Sequence, residues 1–259
     1  MRRLSTLALP LAAAVALSGC IIVADGGTTT VVHHTVPAED AYAAALAHPD
    51  RPEADRARDD LRRSADMLAF MRLEPGDVIA DIRPEEGFFT RLFAPVVGPA
   101  GHVYAFVPNQ TSGRENAYAD TLAATYGNVS RVTGALETMA FDRPLDVVFM
   151  GEEYHDFVIP RFGVDVPTMN AAVFRALKPG GLYVLLDHQA AAGTGVSVAG
   201  TLHRIESAEL RRQVEAAGFV FDGETRVVAN PADDHSLSVF DESIRGRTDR
   251  FVLRFRKPG

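Results

Sequence analysis

Short apolar runs alternating with segments of helical period, punctuated by turn residues, predict an α/β domain built on a doubly wound, mostly parallel sheet of seven strands. Parallel neighbours need crossover helices, which cover both faces of such a sheet. The last two apolar runs have no helical segment between them, which predicts an antiparallel last strand. With 259 residues, 47% of them apolar, the chain can bury one large core, and a disordered polymer or a disulfide-stapled miniprotein is excluded.

The elements follow in order. From Pro52, Ala54, Ala57, Leu61, Ala65 and Leu68 recur at helical spacing and predict one amphipathic helix. After the turn LEPGD at 73–77, VIADI at 78–82 reads as the first strand of the sheet and FFTRLFAPVV as its helix. VYAFV at 103–107 precedes a helix over 114–126, VSRVT at 129–133 is the third strand, and LDVVFM at 145–150 the fourth. Met169, Ala172, Val173, Ala176 and Leu177 share one helical face, followed by a turn at KPGG and the strand LYVLLD. Ser207 offers an N-cap for a helix carrying Leu210, Val214 and Ala217, and the last two strands fall within 219–229 and 250–256.

The formal net charge of −8 makes nucleic acid a poor partner, since phosphate backbones are repelled. Lys178 and Lys257 are the only lysines beside 24 arginines, a skew that reads as coding bias. Arg2 and Arg3, an apolar run too short to span a bilayer, and the sequence LSGC ending at Cys20 read as an export signal over 1–19. LSGC resembles the lipobox of bacterial lipoproteins, which implies that Cys20 becomes a lipidated first residue. The chain is then lipid-anchored in the cell envelope on the periplasmic side, and Ile21 after Cys20 points by the same resemblance to the outer membrane. Residues 20–40 read as a tether, reaching on the order of 25 Å as a flexible coil. His33 and His34 read as solvated polar residues of that tether. Cys20 is the only cysteine, so an internal disulfide and thiol chemistry in the folded body are excluded.

The element order, with VIADIRPEEGFFTRLFAPVVGPAGHVYAFVP and LKPGGLYVLLD, resembles the Rossmann-like class I S-adenosylmethionine-dependent methyltransferases over nearly all of residues 50–258. YHDF at 154–157, DHQA at 187–190, LHRI at 202–205 and NPADDHS and RGRTDRFVLRFRKP near the end look more narrowly like a family of exported bacterial methyltransferases. The resemblance implies S-adenosylmethionine as cofactor, a small-molecule methyl acceptor, and cofactor contacts at Asp81, Gly87, Phe88 and Glu152. In that family the turn after the first strand reads D-x-G-x-G-x-G. Here Arg83 and Glu85 stand at the first two glycine positions. The acid expected at the end of the second strand is replaced by Val107, Pro108 and Asn109, and Ala135 stands where an acid facing adenine is looked for.

Ligands of open α/β sheets bind at the carboxyl ends of the strands. That edge gathers Glu152 to Asp156, Asp187 and His188, and a last loop with Asn230, Asp233, Asp234 and His235, with His203 and Arg204 nearby. His155 or His188 is a candidate base for the acceptor's proton, Asp156 and Asp187 candidate orienting carboxylates, and Tyr154 a candidate stacking group. With no tight spacing such as H-x-x-x-H, no metal ligand is assigned. Two other readings stay open: an exported binding module that keeps the fold without the cofactor, favoured by the altered glycine turn and the export signal, and a metal-assisted hydrolase at the same edge.

Overall fold

The computed structural model describes residues 16–17, 20–25, 28–33, 37–109, 111 and 113–259. The chain divides into two units, residues 1–37 and 38–259. In the first, β1 (Ala16–Leu17), β2 (Cys20–Asp25) and β3 (Thr28–His33) form a three-stranded antiparallel sheet. Two six-residue strands thus stand where composition suggested coil. Their β-branched runs, Ile21 to Val23 and Thr28 to Val32, favour the extended state. The rest of residues 1–19, which the sequence reads as an export signal, lies outside the described residues.

The second unit is led by α1 (Ala38–Leu46), α2 (Glu53–Arg56), α3 (Asp59–Arg62) and α4 (Ser64–Met71). The single helix expected from Pro52 is therefore broken into three, with Arg63 in the left-handed region at φ 51° and Leu61 exposed. Buried polar side chains impose the breaks. Arg51 grips Asp59 through two bonds of 2.8 and 2.7 Å, Ser64 donates to Asp59 at 2.7 Å, and Asp55 is held between Arg58 and Arg91.

The sheet follows: β4 (Val78–Ile82), α5 (Thr90–Val97), β5 (His102–Pro108), α6 (Gly113–Thr125), β6 (Val129–Gly134), β7 (Leu145–Gly151), α7 (Tyr154–Phe157), α8 (Val166–Ala176), β8 (Leu177–His188), α9 (Ala199–Leu202), α10 (Ser207–Ala216), β9 (Val220–Thr225) and β10 (Arg250–Arg256). Strand order is β6-β5-β4-β7-β8-β10-β9, with β10 antiparallel to both neighbours and the first five strands parallel. Strand β4 is buried along its whole length, as a central parallel strand must be. One core packs α1, α4, α5 and α6 on one face, and a second packs α8 and α10 on the other.

Two local expectations are corrected. KPGG lies inside β8, because Gly180 donates to the Lys257 carbonyl and Lys257 to the Gly181 carbonyl, each at 2.9 Å, so β10 extends the ladder through the expected turn. Ser207 is the first helical residue of α10, and the Glu206 carboxylate at the capping position instead accepts the amides of Gly193 and Gly195.

The order reverses between β4 and β7, because the chain winds outward from β4 to β6 and then from β7 toward the other edge. A crevice at the carboxyl ends of the strands opens at such a switch point.

Candidate functional site

Asp81 stands one residue before the end of β4 on one side of the switch point, and Gly151 ends β7, with Glu152 next, on the other. Between them lies a cavity of about 340 Å³ lined by Asp81, the 83–86 turn, Phe88, Phe149, Glu152, and by Arg58 and Arg62 from the N-terminal helices and Glu115 and Tyr118 from α6. Its size is that of a small-molecule site.

The turn keeps a glycine-type backbone without the glycines. Arg83 and Glu85 both lie in the left-handed region, at φ 56° and 50°, as does Gly87 at 86°. At Gly87 the requirement is also steric, since a Cβ would stand 2.5 Å from the Leu122 side chain of α6. Holding a branched or long side chain at positive φ costs roughly 1–2 kcal/mol. Ion pairs offset this at Arg83, whose guanidinium contacts Glu153 and lies 3.5 Å from Glu115 and 3.4 Å from Asp156. Arg83 thus forms the wall between the cavity and the histidines beyond it.

Asp81 is buried and accepts a 2.6 Å bond from the Thr90 hydroxyl. Burial pushes its carboxyl up to about 7 against that bond. Phe88 is buried beneath Arg62 and Arg58, whose guanidiniums sit 4.7 and 5.0 Å from its ring centre. Glu152 makes the sharp turn out of β7 at φ 63° and pairs with Arg250 at 2.8 Å and Arg62 at 3.6 Å. Burial opposes its charge, but the His188 imidazole and these two guanidiniums hold it down at about 2. Glu115, which the sequence reading passed over, turns a carboxylate toward the cavity with Oε2 buried and unpartnered.

Beyond Arg83, Asp187 stands one residue before the end of β8 and is fully buried. One oxygen accepts the His155 backbone N–H at 2.9 Å, and the other lies 2.6 Å from His155 Nδ1 and from the His188 amide. Burial disfavours the charged ring, yet Asp187, Asp156 and Glu152 together raise the His155 pKa. With Nδ1 held by Asp187, Nε2 faces Asp156 Oδ1 at 3.4 Å, and His203 Nδ1 reaches the same oxygen at 2.9 Å. His188 lies with its ring centre 5.7 Å from that of His155, and its Nδ1 is 2.8 Å from the Thr248 hydroxyl. Burial lowers its pKa to about 4, so the ring is neutral at pH 7.

The remaining candidates do not join this group. Tyr154 is buried in the core, bonded to Asn170 at 2.7 Å and Gln213 at 3.1 Å, and does not stack at the site. Asp233 pairs with the buried Arg204 at 2.9 Å and accepts the Asp249 amide, His235 bonds Asp249 at 2.9 Å, and Asn230 donates to both Asp249 and the Arg247 carbonyl. Asp234 accepts from Ser236 at the surface. These residues staple the loop between β9 and β10. Asn109 continues the β5–β6 ladder through its amide to Gly134, and Ala135 precedes a short turn.

No family model and no curated protein matches the sequence. Solved structures do match. A S-adenosylmethionine-dependent methyltransferase from Aquifex aeolicus superposes with a TM-score of 0.56 at 16% identity, covering 83% of this chain and 97% of that one. The chain has the class I methyltransferase fold. The N-methyltransferase NodS from Bradyrhizobium japonicum shares the fold at a TM-score of 0.52 and 12% identity, covering 81% of this chain and 99% of its own. Against this methyltransferase fold, the switch-point cavity of the present chain stands where an open α/β sheet binds its ligand.

The Asp81 carboxyl makes a direct prediction. Its folded pKa lies above the ordinary carboxylate value, so the native state binds a proton more tightly than the unfolded chain, and stability falls as pH rises from about 4 to 7. Asp81→Asn keeps the Thr90 bond and removes this loss. Its Tm at pH 8 is expected to exceed wild type by at least about 2 °C, a gain that shrinks toward zero at pH 4 in thermal melts.

Proposed function

We propose that the protein is a S-adenosylmethionine-dependent methyltransferase acting on a small-molecule acceptor. The observation that carries this reading is the switch-point cavity, in which a buried acid near the end of β4, a left-handed turn and an unpartnered Glu115 oxygen converge. An unpaired buried carboxylate oxygen is costly unless a donor meets it, and a ribose hydroxyl is such a donor. The donor set therefore fits the cofactor: Asp81 for its ammonium, Glu115 for the ribose, Arg58 and Arg62 for its carboxylate, and Phe88 and Gly87 shaping the wall. The bound cofactor supplies an electrophilic methyl group on a sulfonium.

The chain's own work is to hold the acceptor and take its proton. His188 is neutral across the physiological range, and with Nδ1–H donating to the Thr248 hydroxyl its Nε2 accepts the proton. His155 and Asp156 form the wall of the acceptor side, the first oriented by Asp187.

One observation favours the second reading, a binding module that keeps the fold without the cofactor: the Arg83 side chain lines the cavity where the family pattern has glycine. Calorimetric titration with S-adenosylmethionine and S-adenosylhomocysteine separates the two. The expected result is micromolar binding about tenfold tighter at pH 8 than at pH 6, following ionisation of Asp81 near 7. Asp81→Asn is expected to flatten that dependence, and Glu115→Gln to weaken binding roughly ten- to a hundredfold. No heat up to millimolar ligand would contradict the methyltransferase reading and favour the binding module.

We further propose that the chain is exported and lipidated at Cys20, which anchors it in the cell envelope. Arg2, Arg3, the apolar run and LSGC support this, and among the described residues no helix is long and apolar enough to cross a membrane. Labelling cells with a radioactive fatty acid is expected to mark the wild-type protein and not Cys20→Ser. Equal labelling, or none in either, would overturn it.

A further inference from the structure

His155 and Asp156 of the acceptor wall, with His203, make a cluster that the proton acceptor His188 does not use. One donor atom from each lies within 4.8 Å of the others. The two measured edges, 3.4 Å from His155 Nε2 to Asp156 Oδ1 and 2.9 Å from His203 Nδ1 to the same oxygen, bracket the spacing of about 3.3 Å that a tetrahedral ion imposes through bonds of about 2.0–2.2 Å.

Three features point to an ion rather than a set of hydrogen bonds. Asp156 Oδ1 is buried and accepts no hydrogen bond of proper geometry from either ring. Its other oxygen is the one that faces Arg83, at 3.4 Å. The buried Asp187 carboxylate holds His155 Nδ1 at 2.6 Å, the carboxylate-to-imidazole arrangement that orients a metal-ligating ring and leaves its far nitrogen for the ion. His203 is delivered by strained backbone, at φ 54° and ψ 51° at the end of α9, and its ring is held edge-on by Phe240 at 4.7 Å.

We propose that His155 Nε2, Asp156 Oδ1 and His203 Nδ1 bind a divalent transition metal ion of the zinc class, with one position open to an exogenous oxygen or nitrogen ligand. Two imidazoles and one carboxylate suit Zn²⁺ over the hard ions Mg²⁺ and Ca²⁺, which prefer oxygen shells. Three protein ligands leave the coordination sphere unfilled, as in sites that act on a bound molecule. The inference stands on these residues alone and does not depend on the cofactor cavity.

The test is titration of the metal-stripped protein with Zn²⁺ and with Co²⁺ as a visible-spectrum probe. One ion per chain is expected, with Co²⁺ giving the intense absorption of a tetrahedral site and Mg²⁺ not competing. His203→Ala, at the rim of the cluster, is expected to weaken Zn²⁺ at least a hundredfold, and Asp187→Asn by ten- to a hundredfold. His235→Ala, whose ring serves Asp249, is expected to leave binding unchanged. Circular dichroism of each variant separates lost metal from lost fold, and Asp156→Asn, nearly isosteric, gives a second loss of Zn²⁺ in a folded chain. Absent stoichiometric binding, equal binding of Mg²⁺, or binding indifferent to His203→Ala and Asp156→Asn would overturn the site and leave a plain ion pair.

Discussion

A single buried carboxylate, Asp187, organises the functional edge. It stands one residue before the end of β8 with no solvent contact, and among the described residues three N–H groups meet it: the amides of His155 and His188 and the His155 ring. A buried carboxylate without such donors costs several kcal/mol. The chain therefore folds α7 back over the end of β8, and Glu152 adopts a left-handed turn to make that possible. The orientation of His155, its contact with Asp156 and the approach of His203 all follow from where Asp187 sits.

The cavity side shows a different compensation. Loss of two glycines from the turn after β4 would ordinarily change its path, yet Arg83 and Glu85 keep positive φ, and Arg83 recovers part of the strain through Glu153, Glu115 and Asp156. The same substitution joins the two halves of the edge, since one guanidinium touches an acid lining the cavity and an acid of the histidine cluster. Glu115 on α6 turns a carboxylate toward the same cavity.

The sheet was legible because parallel strands buried on both faces leave continuous apolar runs, and VIADI, VYAFV and LDVVFM all became strands. The helix from Pro52 was misread because periodicity cannot register a buried Arg51 or Asp55 that breaks it. The arginine excess, read as coding bias, has a structural use: Arg51, Arg204, Arg250 and Arg254 are buried and each reaches a carboxylate, and Arg51 does so with a fork that lysine lacks. His155, Asp156, Asp187 and His188 were legible as residues at strand ends. The partnership of Asp156 with His203 was not, because 47 residues separate them and a left-handed helix end brings them together. Glu115 was not legible, because it lies in the first turn of α6 rather than at a strand end.

The His155 tautomer decides both the acceptor wall and the metal site, since each needs Nδ1–H on Asp187 and a free Nε2. Long-range proton–nitrogen NMR of the imidazoles, followed to a pH at which the His155 ring is neutral, reads this directly. A protonated Nδ1 and an unprotonated Nε2 on His155 is the expected pattern. A proton on Nε2, or an even mixture of tautomers, would contradict it.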